Sequence, residues 1–164
     1  MPRLSKSAAV IATLVLFGLF WPTAYLTARS NGKLLLAWPI RVGEMVELSY
    51  THSVNLSPVI DVIEWTGREF VVRKSVFKTF GAGIPMPSDG IGTELISVNG
   101  HYELVGIDKP MQSIPVMTQT VPNHRIVLKR REASLLKLAG SGKVVEIEVT
   151  RMSVVTRLYI LIFH

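Results

Sequence analysis

The chain has 164 residues, 48% of them apolar and only 18% charged, with a net charge of +6 and no cysteine. That length holds one domain and a short appendage, and the apolar excess requires a membrane segment, an apolar β domain, or both. Without cysteine, disulfides, thiol chemistry and zinc–thiolate sites are excluded. The basic residues are too dispersed for a nucleic-acid partner, and the one dense cluster, Lys129-Arg130-Arg131, reads as a solvated strand end or turn.

Arg3 and Lys6 precede a stretch from Ser7 to Ala28 that carries no charge. Continued through Leu26 as a helix, it would span roughly 30 Å, enough to cross a bilayer. Trp21 and Tyr25 fall at its far end, where interfacial aromatics belong, and Pro22 kinks or ends the helix there. A cleaved signal peptide shares the basic start and apolar core. Ala24 and Ala28 are candidate cleavage positions, but Pro22 and Leu26 spoil the small-x-small pattern upstream of them. An uncleaved anchor is therefore preferred. Residues 1–30 are expected to form the membrane anchor or signal segment, and residues 31–164 an all-β domain. Arg29 and Lys33 nearly balance Arg3 and Lys6, so the positive-inside bias is slight. The expected location, a single-pass membrane protein with its C-terminal domain extracytoplasmic (periplasmic), leans on the likeness to a signal sequence.

Ser30-Asn31-Gly32-Lys33 reads as a polar hinge, and nearly everything after it reads as strand. Residues 34–38 are apolar and end at Pro39. In residues 44–51, Val46, Leu48 and Tyr50 alternate with Glu47, Ser49 and Thr51, the period of a half-buried strand. Residues 59–65 and 69–78 form a hairpin across Thr66-Gly67-Arg68. Residues 94–98 and 101–107 are joined by Asn99-Gly100, a strong hairpin signal. Strands are also expected over 114–121, 125–129, 135–139 and 144–151, the last two joined at Gly140-Ser141-Gly142. The apolar end, 158–163, is too short to span a membrane and reads as a buried last strand. The expected fold is all-β, an antiparallel β-sandwich or barrel-like domain preceded by one N-terminal transmembrane or signal helix.

The stretch Phe77-Lys78-Thr79-Phe80-Gly81-Ala82-Gly83-Ile84-Pro85-Met86-Pro87-Ser88-Asp89-Gly90 is unusual for a loop. Two glycines permit positive φ or a close approach, two prolines fix φ and remove donors, and the apolar Ile84 and Met86 indicate that the loop packs onto something. It is no phosphate loop, because Ile84-Pro85 follows where a helix should start. A tight structural turn and a docking or ligand-lining loop both fit it. His52 is in phase with Val46, Leu48 and Tyr50, so it points to the inner face or the mouth of the sheet, as a structural histidine or a ligand contact. Ser53 faces the other way and forms no Ser–His pair with it on a regular strand. Asp61 and Glu64 also face opposite sides, which argues against shared acid–base work. His52, His101 and His124 with Asp61 or Glu64 have no metal-ligand spacing, and neither metal nor cofactor is expected. The candidate ligand- or partner-binding residues are Tyr50, His52, Ser53, Asp61, Glu64, Gly81, Gly83 and Pro85, with no catalytic residue among them.

Tyr50-Thr51-His52-Ser53-Val54, Ser57-Pro58-Val59 and Phe80-Gly81-Ala82-Gly83-Ile84-Pro85, in that order, resemble a small bacterial and archaeal family of uncharacterised domains. Its members are found beside, or fused to, the permeases of TAXI-type TRAP transporters. The likeness covers roughly residues 34–151. His52, Ser53, Pro58, Gly81, Gly83 and Pro85 match its pattern, and residues 61–64 fall where that pattern carries an acidic residue. The resemblance implies an accessory role in solute uptake and no known reaction. With the N-terminal anchor and the β pattern, the expectation is a membrane-anchored accessory protein that binds rather than catalyses, with a TRAP-type permease or solute-binding protein as partner. Two other expectations are a small-ligand module with Tyr50, His52 and the glycine loop at a barrel mouth, and an enzyme using His52 with Asp61 or Glu64.

Overall fold

A computed structural model of the chain describes residues 6–80, 84 and 86–163. The alternating segments become strands β1 (Thr23–Ser30), β2 (Lys33–Pro39), β3 (Met45–Thr51), β4 (Pro58–Trp65), β5 (Phe70–Phe77), β6 (Glu94–Val98), β7 (His101–Met111), β8 (Ile114–Met117), β9 (Arg125–Leu128), β10 (Arg131–Ser134) and β11 (Val144–Met152). Helix α1 (Lys6–Phe20) precedes them, α2 (Leu135–Ala139) is a single short turn of helix, and α3 (Val154–Phe163) ends the described chain. One sheet has the order β2-β1-β11-β8 and the other β10-β9-β3-β4-β5-β7-β6. Every pairing is antiparallel.

The main core lies between the sheets. Leu26, Ala28, Leu36, Val145 and Ile147 of the small sheet meet Val46, Ile63, Trp65, Phe70, Ile126 and Leu128 of the large one. This is the expected antiparallel sandwich. The large sheet extends beyond this contact. There Val59, Phe77 and Leu104 form a separate buried cluster, covered by Ile84 from the glycine loop and flanked by Tyr50, Leu95, Tyr102 and Ile107. A third cluster, Tyr25, Leu34, Ala37 and Met152, sits on the small sheet with Ile160 of α3 packed against it.

Several segments differ from the sequence reading. The N-terminal helix does not run through Leu26. It closes with Trp21 N–H donating to the Phe17 carbonyl at 2.9 Å, because Pro22 disfavours helical backbone at the residue before it. Its 15 residues correspond to roughly 22 Å, and no helix among the described residues is long and apolar enough to cross a membrane. Residues 23–30, expected as anchor, are instead a central strand: β1 is hydrogen-bonded on both sides, to β11 and β2, and Tyr25, expected at an interface, is buried. Asn31-Gly32 is not a hinge but the tight turn of the β1–β2 hairpin, with φ of 49° and 78°, the double positive φ of a type I′ turn. Asn99-Gly100, read correctly as a hairpin, repeats this at 46° and 82°.

Residues 135–139 and 158–163 are helical rather than extended. Each helix begins at a serine cap. Ser134 Oγ accepts from Lys137 N–H at 3.3 Å, and Ser153 Oγ accepts from Thr156 N–H at 3.0 Å. Such caps satisfy the donors a helix start leaves open.

Candidate functional site

The site grows out of one register on the inner face of the large sheet. Leu48 pairs with Asp61, Asp61 with Ser75, and Ser75 with Leu104. The adjacent row is Tyr50, Val59, Phe77 and Tyr102. A period of two places all of these on one side, so Asp61 is a carboxylate on an otherwise apolar face. It lies between the core shared with the small sheet and the cluster under Ile84.

Ser75 is buried and donates its hydroxyl to Asp61 Oδ1 at 2.7 Å. Burial pushes the Asp61 carboxyl above its ordinary range, and the Ser75 hydrogen bond partly opposes this. Burial, and after it the negative charge of Asp61, push the Tyr50 hydroxyl up to about 12, so Tyr50 stays protonated. The Tyr50 ring lies 5.2 Å from that of His124. His124 is brought there because Thr51 N–H, at the end of β3, donates to the Pro122 carbonyl at 2.9 Å. Burial lowers the His124 pKa, which keeps the imidazole neutral. Its Nδ1 is buried and has no hydrogen-bond partner among the described residues. Tyr50, Asp61, Ser75 and His124 thus form a polar group capable of proton donation and acceptance, set in an apolar end of the sheet.

The turn after β3 carries the remaining motif residues. His52 N–H donates to the Ser57 carbonyl at 2.8 Å, and Leu56 N–H to the His52 carbonyl at 2.9 Å. His52 Nδ1 accepts from Val54 N–H at 3.3 Å, and Ser53 is exposed. Asn55 holds this turn and the glycine loop together. Its Oδ1 accepts from Ser57 N–H and Oγ at 3.2 and 2.8 Å, and its Nδ2 donates to the Thr79 carbonyl at 3.4 Å. Sequence segments far apart along the chain therefore meet at one end of the large sheet. That end exposes large apolar side chains: Val54 (72%), Leu56 (67%) and Phe80 (45%). Beneath it Phe80 packs on Tyr102 and Phe77, with ring centroids 4.3 and 5.6 Å apart.

Among the proposed site residues, Tyr50 and Asp61 come together. His52 and Ser53 lie in the turn beside them, and no hydrogen bond links His52 to Asp61 or Glu64 among the described residues. Glu64 faces the outer side, as expected from its spacing, where Arg73 Nε binds it at 2.7 Å and Arg73 Nη1 binds Asp108 at 2.6 Å. Gly81, Gly83 and Pro85 lie outside the described residues. No three His, Asp or Glu side chains converge among the described residues. The sequence reading missed Ser75, whose position in phase with Phe77 and opposite Asp61 was a usable signal. It also missed two glycines that secure the exit of the loop. A Cβ on Gly106 (φ +67°) would sit 2.2 Å from Thr93 Oγ1, and one on Gly92 (φ +75°) would sit 2.7 Å from Leu104 Cδ1.

One cleft, of about 470 Å³, lies away from this group and is bordered by Ala24, Arg41, Val42, Trp65 and Arg151. Another, of about 220 Å³, is bordered by Pro58, Ile60, Val76, Phe77 and His101 beside the motif turn. The first includes Ala24 at the start of β1 and the β4–β5 turn, so it marks the end of the sandwich where α1 joins. The motif turn lies at the opposite end of β3.

No curated protein and no solved structure matches the chain. The model of DUF1850, a domain of unknown function, matches residues 46–135, which take in β3 to β10, the Asp61–Ser75 pair and the motif turn, and the chain belongs to that family.

Proposed function

We propose that this protein is a membrane-anchored, extracytoplasmic accessory component of a TRAP-type (TAXI) solute uptake transporter, acting by binding. Its partner is the permease or the solute-binding protein. Helix α1 holds it at the membrane, and the end of the large sheet formed by residues 52–57 and Phe80 docks the partner. The observation that carries this reading is the exposed apolar tip of Val54, Leu56 and Phe80. Its turn and loop are tied together through Asn55, and it stands at the end of β3 away from α1. Exposed apolar side chains grouped on a firmly held turn mark interaction surfaces. The transporter class comes from the resemblance of the motifs that build this tip.

Co-purification from mild-detergent extracts of native membranes tests the proposal. A Leu56→Asp/Phe80→Asp double variant, folded and still in the membrane fraction, is expected to lose a transporter subunit that the wild type retains. Recovery of no transporter subunit with the wild type, together with unchanged solute uptake on deletion of the protein, would overturn it.

One observation favours a second reading, a small-ligand module. The Nδ1 of His124 is buried without a hydrogen-bond partner among the described residues, and the His124 ring lies 5.2 Å from that of Tyr50, so a small polar ligand admitted there would meet two polar side chains. On that reading, solute binding survives the loss of the transporter partner and is abolished by His124→Phe.

A further inference from the structure

Helix α3 has the polarity of a soluble surface helix reversed. Val155, Leu158, Tyr159 and Ile162 follow one another at spacings of three, one and three residues and are all exposed, which makes them one stripe. The one charged residue of the helix, Arg157, turns the other way. Its guanidinium lies over the Tyr25 ring, 5.6 Å from the centroid, and its Nη1 reaches toward the Ala37 carbonyl at 3.5 Å. Ile160, on the same side, packs on Tyr25, Leu34, Ala37 and Met152. The guanidinium thus lies on the inner side of the helix and the apolar stripe faces out.

Helix α1 lies alongside α3 and is apolar around its whole circumference. Val10, Ile11, Leu14, Val15, Leu16, Phe17 and Phe20 are all exposed, and no charged residue occurs between Lys6 and Arg29. A helix docking into a protein groove needs one apolar stripe, whereas a helix apolar all round requires an apolar medium. The two helices also leave the small sheet at the same place, since Thr23 at the start of β1 pairs with Met152 at the end of β11.

We infer that α3 is a second lipid-contacting element, lying in the membrane interface with Val155, Leu158, Tyr159 and Ile162 in the acyl region, beside α1. Its described 10 residues carry the apolar stripe on one side and Arg157 on the other, the pattern of a helix lying in an interface. Together the two helices fix how the domain faces the bilayer, where a single helix would leave it free to swivel. The inference rests on the membrane-anchored reading above.

The chain has no native cysteine, so single fluorophores can be placed at Ile162→Cys, Val15→Cys and Val54→Cys in the full-length protein. All three positions are exposed. The proteins are reconstituted into phosphatidylcholine vesicles with a minority of phosphatidylglycerol, and quenched with acyl-chain nitroxide lipid and separately with iodide. The expected result is several-fold stronger nitroxide quenching at Ile162 and Val15 than at Val54, with iodide showing the reverse order. Lipid quenching at Val15 with iodide access at Ile162 equal to that at Val54 would overturn the role of α3 and leave the α1 anchor standing. Aqueous exposure at both would overturn the anchor as well. Shielding of Ile162 from both quenchers would assign the stripe to a protein contact and overturn the lipid role.

Discussion

The large sheet is covered in two ways along its length. Over Val46, Ile63 and Phe70 lies another sheet, itself held by antiparallel ladders. Over Val59, Phe77 and Leu104 lies Ile84 from a loop, with the rings of Phe80 and Tyr102 beside it. The first cover is cooperative with the whole fold. The second rests on a few local contacts, the kind of region that opens at lower cost. Asp61 and Ser75 sit at the boundary, where the sheet-made core ends and the loop-made cover begins. A carboxylate there is expensive for the fold. That expense sets it apart from Glu64 on the outer face, whose charge is met by Arg73 in partial solvent.

Substitutions sharpen this contrast, beginning with the largest expected effect. Phe70→Ala, in the sheet-covered core, should cost about 3–5 kcal/mol in denaturant unfolding and lower every spectroscopic probe together. Ser75→Ala removes the hydrogen bond to the half-buried Asp61 carboxylate and should cost about 1–3 kcal/mol. A loss no larger than that of an exposed serine would mean the boundary pair is not structurally important.

Asp61→Asn tests the same pair through pH. Its folded-state pKa lies above the unfolded value because of burial, so folding favours the protonated acid. The wild type should therefore gain stability as pH falls from the raised folded value toward the ordinary carboxyl range, and lose that gain as pH rises through the folded value. Asp61→Asn should flatten this dependence and be the more stable form at neutral pH. A wild-type profile already flat in that window would contradict the buried-acid reading.

Asn55→Ala should cost about 1 kcal/mol and, more tellingly, raise amide exchange in residues 52–57 without speeding β4. Arg73→Ala breaks ion pairs that are partly exposed and should change the unfolding free energy by less than about 1 kcal/mol.

Much of the large sheet was legible in the sequence because alternation over β3, β4 and β5 is regular. The spacing of Asp61 and Glu64 put them on opposite faces, but which of the two faces inward was not read from it. The β1–β2 hairpin was written in the same Asn-Gly dipeptide that marked β6–β7. It was missed because the apolar run reads as one helix through Leu26, which absorbs the first half of β1 and leaves Asn31-Gly32 as a hinge. Helix α3 was misread because a short apolar run fits a strand or a helix equally by period, and only the Ser153 cap distinguishes them. His124 was beyond reach for another reason. Its place beside Tyr50 depends on the bond from Thr51 to Pro122, a non-local contact that no pattern within either segment encodes.

The docking tip is tested most directly by photocrosslinking in cells. A photoreactive amino acid is placed at Leu56 in the motif turn and, as control, at Val42, an equally exposed apolar position near the opposite end of β3. The expected result is a covalent adduct with a transporter subunit from Leu56 and none from Val42. Adducts with that subunit from both positions alike, or from Val42 alone, would contradict the assignment of the loop-covered end as the surface that binds.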